Sequence, residues 1–133
     1  MVKYTIKERV NPQAIMDSRK YYAFAQNQGM TSIRELARII SKESTVSMMD
    51  TMAVIEGLLQ VIPDKLIEGR MVSLGDFGSF RVTISSKGAN TLEDFNEKLI
   101  VGLNLKFRPG KEFRNKLNTV KFRKNSIIPF LYK

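Results

Sequence analysis

The chain contains no cysteine, no histidine and no tryptophan. Without cysteine there is no disulfide and no thiolate metal site. The loss of histidine removes the commonest general base, the usual zinc ligands and the Ser–His and Cys–His nucleophile pairs. The residues therefore predict no metal, no cofactor, no small-molecule substrate and no catalytic site. Carboxylate- or lysine-based chemistry is what remains open to an enzyme, and no constellation points to it. Long hydrophobic runs are missing too: no segment reaches the length of a membrane-spanning helix. The first residues, "MVKYTIKERVNP", alternate polar and apolar instead of forming the apolar core of a signal peptide. The expectation is a soluble, cytoplasmic protein with no membrane partner.

What is present is basic charge, unevenly placed. The 133 residues are 43% hydrophobic, enough for one compact core with a small extension, and carry a net charge of +9. Residues 1–30 contribute +3, residues 31–82 contribute −1, residues 83–107 are neutral and residues 108–133 contribute +7. An excess of this kind favours an anionic partner, nucleic acid first and membrane surface second.

Periodicity divides the chain into three parts: a β extension over 1–30, a central domain over 31–118, and a basic then apolar tail over 119–133. In the first, "KYTIKERV" alternates as a strand that ends at Asn11-Pro12, and "RKYYAFAQ" returns on it. Ser32-x-x-Glu35 and Ser47-x-x-Asp50 are capping boxes that each open a helix. Ile33, Leu36, Ala37 and Ile40 share one face of the first helix. The second runs to Gly69, suited to a C-terminal cap, with Pro63 expected to kink it. Its Met48, Met52, Ile55, Leu59, Ile62 and Leu66 form one apolar stripe, and Val54, Leu58 and Val61 form another. A helix apolar on two sides needs cover on two sides, which one short helix cannot supply. A partner subunit is the economical explanation.

Strands follow. "RMVSL" leads into Gly75-Asp76-Phe77-Gly78, read as a tight turn, and "SFRVTISS" alternates, with Phe80, Val82 and Ile84 on one face. "KGANTLEDFNEK" interrupts the pattern, with a helical turn expected at Thr91-x-x-Asp94. "LIVGLNLKF" restores it, placing Leu99, Val101, Leu103, Leu105 and Phe107 together. "KEFRNKLNTV" reads as a short basic helix anchored by Phe113 and Leu117. The tail's Ile127, Ile128, Phe130 and Leu131 call for cover from the N-terminal strands.

From Ser47 to Gly78, "SMMDTMAVIEGLLQVIPDKLIEGRMVSLGDFG" resembles the HU/IHF family of bacterial histone-like DNA-binding proteins. "FGSF" and the later "FRPGKEFRNKL" strengthen the match, which covers about Thr31 to Asn118. The extensions resemble the longer HU-like variants of Bacteroides-type bacteria. The resemblance implies an α+β, intertwined homodimer: a helical body, a three-stranded β saddle with an arm, and here extra N-terminal strands. It also implies nucleoid-associated, non-sequence-specific binding of double-stranded DNA, with apolar wedges between base steps and phosphates neutralised along the flanks.

The expected DNA contacts are Arg81, Lys87, Lys106, Arg108, Lys111, Arg114 and Lys116, extended by Lys121, Arg123 and Lys124. Lys111 matches the lysine of the family's Pro-Gly-Lys stretch, at a helix N-terminus that favours phosphate. The expected dimer core is Met52, Ile55, Leu58, Leu59, Ile62, Phe77 and Phe80. The family's arms are arginine-rich with an intercalating proline, whereas residues 83–107 hold no proline and no net charge. Bending weaker than, or different from, that of relatives is therefore expected. Leu92 and Phe95 are the candidate wedges, with packing onto the body the expected role of both. The competing reading is an HU-like dimeric scaffold, a protein-interaction module that has lost DNA bending.

Overall fold

The structure is a computed structural model that describes residues 1–10, 12, 13, 16 and 19–125. Asn11 of the expected strand stop, and the tail residues Ile127, Ile128, Phe130 and Leu131, lie outside the described residues. The chain forms two units, one of Thr31–Lys116 and one of Met1–Met30 with Leu117–Lys133.

In the first unit, α1 (Ile33–Glu43) and α2 (Met48–Ile67) begin where the capping boxes place them. The hydroxyls of Ser32 and Ser47 accept hydrogen bonds from the backbone N–H of Glu35 and Asp50, satisfying donors that have no partner within the helix. Helix α2 continues through Pro63 as one element. It closes in a Schellman arrangement: Gly69, at φ +84°, donates to the Leu66 carbonyl, and Arg70 donates to that of Lys65.

β3 (Val72–Ser73), β4 (Gly78–Ser86) and β5 (Ile100–Pro109) make an antiparallel sheet in the order β3-β4-β5. "RMVSL" yields only two strand residues, because Leu74 leaves the ladder to enter the 3₁₀ turn Gly75–Phe77. The register pairs Phe80 with Phe107, Val82 with Leu105 and Ile84 with Leu103, so these six side chains share one face. A bulge between Ser85 and Ser86 breaks the expected run: Ser86 pairs with Ile100, which takes the place on the apolar face that strict alternation assigns to Val101.

Apolar cover within this unit is slight. Among the described residues, Ala37 and Leu66 are the buried hydrophobics, and Thr51 is buried with its hydroxyl bonded to the Ser47 carbonyl. Leu36 and Ile40, which share the Ala37 face, remain about half exposed, as do Leu58 and Leu59. Val54 and Val61 on the second stripe are more exposed still.

The other unit is a sheet in the order β2-β1-β6, from β1 (Val2–Arg9), β2 (Lys20–Ala25) and β6 (Phe122–Lys124). β2 runs antiparallel to β1, as the aromatic run leads one to expect. β6 is parallel to β1, pairing Val2, Lys3 and Tyr4 with Phe122, Arg123 and Lys124. The backbone N–H of Val2 donates to Lys121 and that of Asn125 to Tyr4, which fixes both ends of this strand.

Candidate nucleic-acid interface

The 3₁₀ turn and the Pro109-Gly110 corner are built against each other. Gly110 donates its N–H to the Phe77 carbonyl at 2.9 Å, and Leu74 donates to that of Gly78 at 2.8 Å. The backbones approach so closely that side chains are excluded at two points. A Cβ on Gly78 would lie 2.6 Å from the Arg108 carbonyl oxygen, and one on Gly110 would collide with the Asp76 carbonyl. Gly78 also sits at φ +150°, a conformation that side chains disfavour. The two short stretches that most resemble HU are thus one structural object.

Four phenylalanines lock that object. Phe77 packs edge-on to Phe113, with ring centres 5.1 Å apart, and tilts against Phe107 at 5.6 Å; Phe80 meets Phe107 at 4.8 Å. Such contacts add about 0.5–1.5 kcal/mol each beyond area burial. Phe77 and Phe80 therefore serve packing. Phe113 carries α3 (Lys111–Asn118) onto the sheet. Leu117, the other expected anchor, is about half exposed. The helix is short, and Phe113 supplies its ring contacts on the first turn.

The cations fall into groups. Arg81 pairs with Lys106, and Ser79 with Arg108, across the ladder, placing Arg81, Lys106 and Arg108 on the polar face opposite the phenylalanines. Lys111 is the first residue of α3, where Arg114 already donates to the Gly110 carbonyl. Arg114 and Lys116 follow on the same helix, and all of these side chains are exposed. Arg81, Lys106, Arg108, Lys111 and Arg114 make no ion pair among the described residues, whereas Lys65 bonds Glu68 at 3.4 Å and Arg38 bonds Glu35. Lys87 stands apart at the end of the ladder, its N–H bonded to the Leu99 carbonyl. Lys121, Arg123 and Lys124 lie in the other unit of the chain. They belong to the N-terminal sheet, with Arg123 and Lys124 on opposite faces of β6 by alternation.

Beyond the ladder, the arm residues turn locally. The Thr91 hydroxyl caps the N–H of Asp94 at 3.2 Å, as its spacing predicts, and a 3₁₀ turn covers Glu97–Leu99. Leu92 is 92% exposed, against the expectation that it packs onto the body. The turn that holds it is closed by bonds among its own residues, the Phe95 N–H donating to the Leu92 carbonyl. Phe95 is about half exposed. On the ribbon itself, Thr83, Ser85, Gly102 and Asn104 form the polar face, and Asn104 donates to the Ser85 hydroxyl.

Sequence reasoning missed a second basic face, on the N-terminal sheet. The signal was available in the alternation of β1 and β2, but it shows only once the register is known. Among the described residues no cluster of acidic side chains could hold a metal ion, and no helix is long and apolar enough to cross a membrane.

Known proteins resemble this arrangement. A model of the HU-HIG family, described as an HU domain fused to a wHTH, Ig or glycine-rich motif, matches residues 1–124. No curated protein matches the chain. Among solved structures, a candidate bacterial DNA-binding protein from Bacteroides vulgatus superposes with a TM-score of 0.66 at 12% identity. That match covers 96% of this chain and 50% of the other, so the chain spans half the length of that relative. At this identity the likeness speaks for the fold. The helix pair, the glycine turn docked on Pro109-Gly110 and the family match over nearly the whole length agree, and the chain belongs to the HU-HIG family.

Proposed function

We propose that this protein binds double-stranded DNA as a homodimer, without sequence preference, in an architectural role at the nucleoid. The observation that carries the reading is the docked corner. It holds Arg108 at the end of β5 and Lys111 at the start of α3, with Arg81 and Lys106 on the adjoining polar face, all exposed. Backbone N–H groups at the start of α3 add to the attraction for phosphate. These are backbone contacts, which position a protein without reading bases. The dimer is supported by the helical unit's lack of core. Met52, Ile55 and Ile62 are half buried, Leu58, Leu59 and Phe77 are about half exposed, and a second copy is the natural cover. The uncharged polar residues along the arm support gentler bending than an arginine-rich arm would give.

A second reading, a dimeric scaffold that meets other proteins through its arm, is favoured by one feature. Ile84, Leu103 and Leu105 stand more than half exposed on the apolar face of the ribbon. DNA binding over a salt series separates the two. Each phosphate neutralised contributes a slope of about −0.9 in log K against log salt. A steep slope is expected, and the double variant Lys111→Glu, Arg114→Glu should weaken binding to all duplexes by at least about tenfold and flatten the slope by about two. A flat series, or no binding at low salt, would leave the scaffold reading.

A further inference from the structure

The N-terminal sheet has two chemically distinct faces. Register places Arg9 opposite Lys20, Lys7 opposite Tyr22 and Thr5 opposite Phe24, with Lys3 beside Arg123 on β6. Residues opposed in a ladder share a face. One side of this sheet therefore carries Lys3, Lys7, Arg9, Lys20 and Arg123 around Tyr22 and Phe24, with no acidic residue. Glu8, the one acid of these strands, pairs with Tyr21 on the reverse side. Ring contacts confirm the arrangement: the Lys7 ammonium lies 5.5 Å and the Arg9 guanidinium 4.7 Å from the centre of Phe24.

This pattern has more than charge in it. Among the described residues these five cations have no carboxylate partner. Tyr22 is 48% exposed, an aromatic surface left uncovered beside them. A depression of about 460 Å³ adjoins it, lined by Arg9, Val10, Pro12, Tyr22, Ala23 and Phe24. The volume lies in the range that takes a small planar ligand. Charge alone would suit any polyanion. Rings at alternate positions of one strand, framed by cations on the next, suit a polyanion that also presents flat apolar groups at regular intervals. Single-stranded nucleic acid has that chemistry, because its bases are free to stack; a duplex keeps its base faces covered.

We infer that this face binds single-stranded nucleic acid, stacking a base on Tyr22 and holding flanking phosphates with Lys3, Lys7, Arg9 and Arg123. The site belongs to the other unit from the corner at Gly110 and does not rest on the duplex reading. Lys20 adds a further positive end to the track, and the Arg9 guanidinium lying over Phe24 offers a second contact to a neighbouring base.

The test uses the full chain and labelled oligothymidylate at low salt, read by anisotropy, with a labelled duplex measured alongside. Tyr22→Ala should lower affinity for the single strand about tenfold or more while changing duplex affinity less than twofold. Tyr22→Phe should retain single-strand binding, because the ring and not the hydroxyl stacks. Lys7→Glu with Arg9→Glu should abolish it. Circular dichroism of each variant must match the parent; if Tyr22→Ala fails that check, Tyr22→Leu replaces it. Equal single-strand affinity in the aromatic-deleted variant and the parent would overturn the proposal. So would loss of single-strand binding only in the Lys111→Glu, Arg114→Glu variant, which would place the strand on the α3 corner. Parallel weakening of both ligands by the Tyr22 change would also overturn it, since the face would then be a duplex surface.

Discussion

The described residues form two three-stranded sheets, and both are amphipathic, yet their polar faces are composed differently. In β3-β4-β5 the cations gather at one end, where Arg81, Lys106 and Arg108 lie near the docked glycine corner. Further along the ribbon, that face carries Thr83, Ser85, Gly102 and Asn104. In β2-β1-β6 the cations are spread over the whole face and interleaved with rings. The first pattern suits the proposed phosphate clamp; the second suits the proposed track. Charge counted by segment hides this difference. Residues 1–30 show only +3, but the acid that lowers the sum within the strands, Glu8, sits on the reverse side.

The largest break in the comparison comes from testing the proposed dimer through the helical unit. Leu58→Glu on α2 should abolish the dimer in light scattering and destabilise the unit by about 3–5 kcal/mol, the cost of a charge left uncompensated in an apolar interface. A parent chain that is a stable monomer would contradict the assignment of this face. Next is the corner. Gly78→Ala forces a side chain into a positive-φ site against the Arg108 carbonyl and the Phe107 ring. It should lower stability by about 3 kcal/mol in a thermal melt and weaken duplex binding, while single-strand binding by the N-terminal sheet persists. If both activities fall together, the two regions are not separable. The smallest effect is Ser47→Ala. Loss of the cap on α2 should cost about 1 kcal/mol, seen as a lower urea midpoint with an unchanged m-value and no change in affinity for either nucleic acid.

Much of the helical unit was legible because its signals are short-range. A serine three residues before an acid, or a glycine after the last helical turn, acts through hydrogen bonds within one turn of backbone. The alternation of β4 and β5 was equally readable up to Ser85. It failed at Val101, where the bulge shifts register through backbone pairing that no residue type announces. Leu92 failed for another reason. Apolar character predicts burial on average, but whether a surface lies within reach depends on how the arm turns.

The candidate sites divide the same way. Lys111 was named because it matches the lysine of the HU/IHF family's Pro-Gly-Lys stretch, with Arg114 on the helix that follows, whereas Lys121, Arg123 and Lys124 were added by continuity along the chain. Continuity along the chain does not show that β6 pairs with β1, more than a hundred residues away. The sequence by itself determined the helices, their caps, the glycine turn and the need for apolar cover, because each follows from interactions within a few residues. Only tertiary structure decided which cations share a surface. Strand register, a set of backbone hydrogen bonds between distant segments, chooses the face on which every side chain stands.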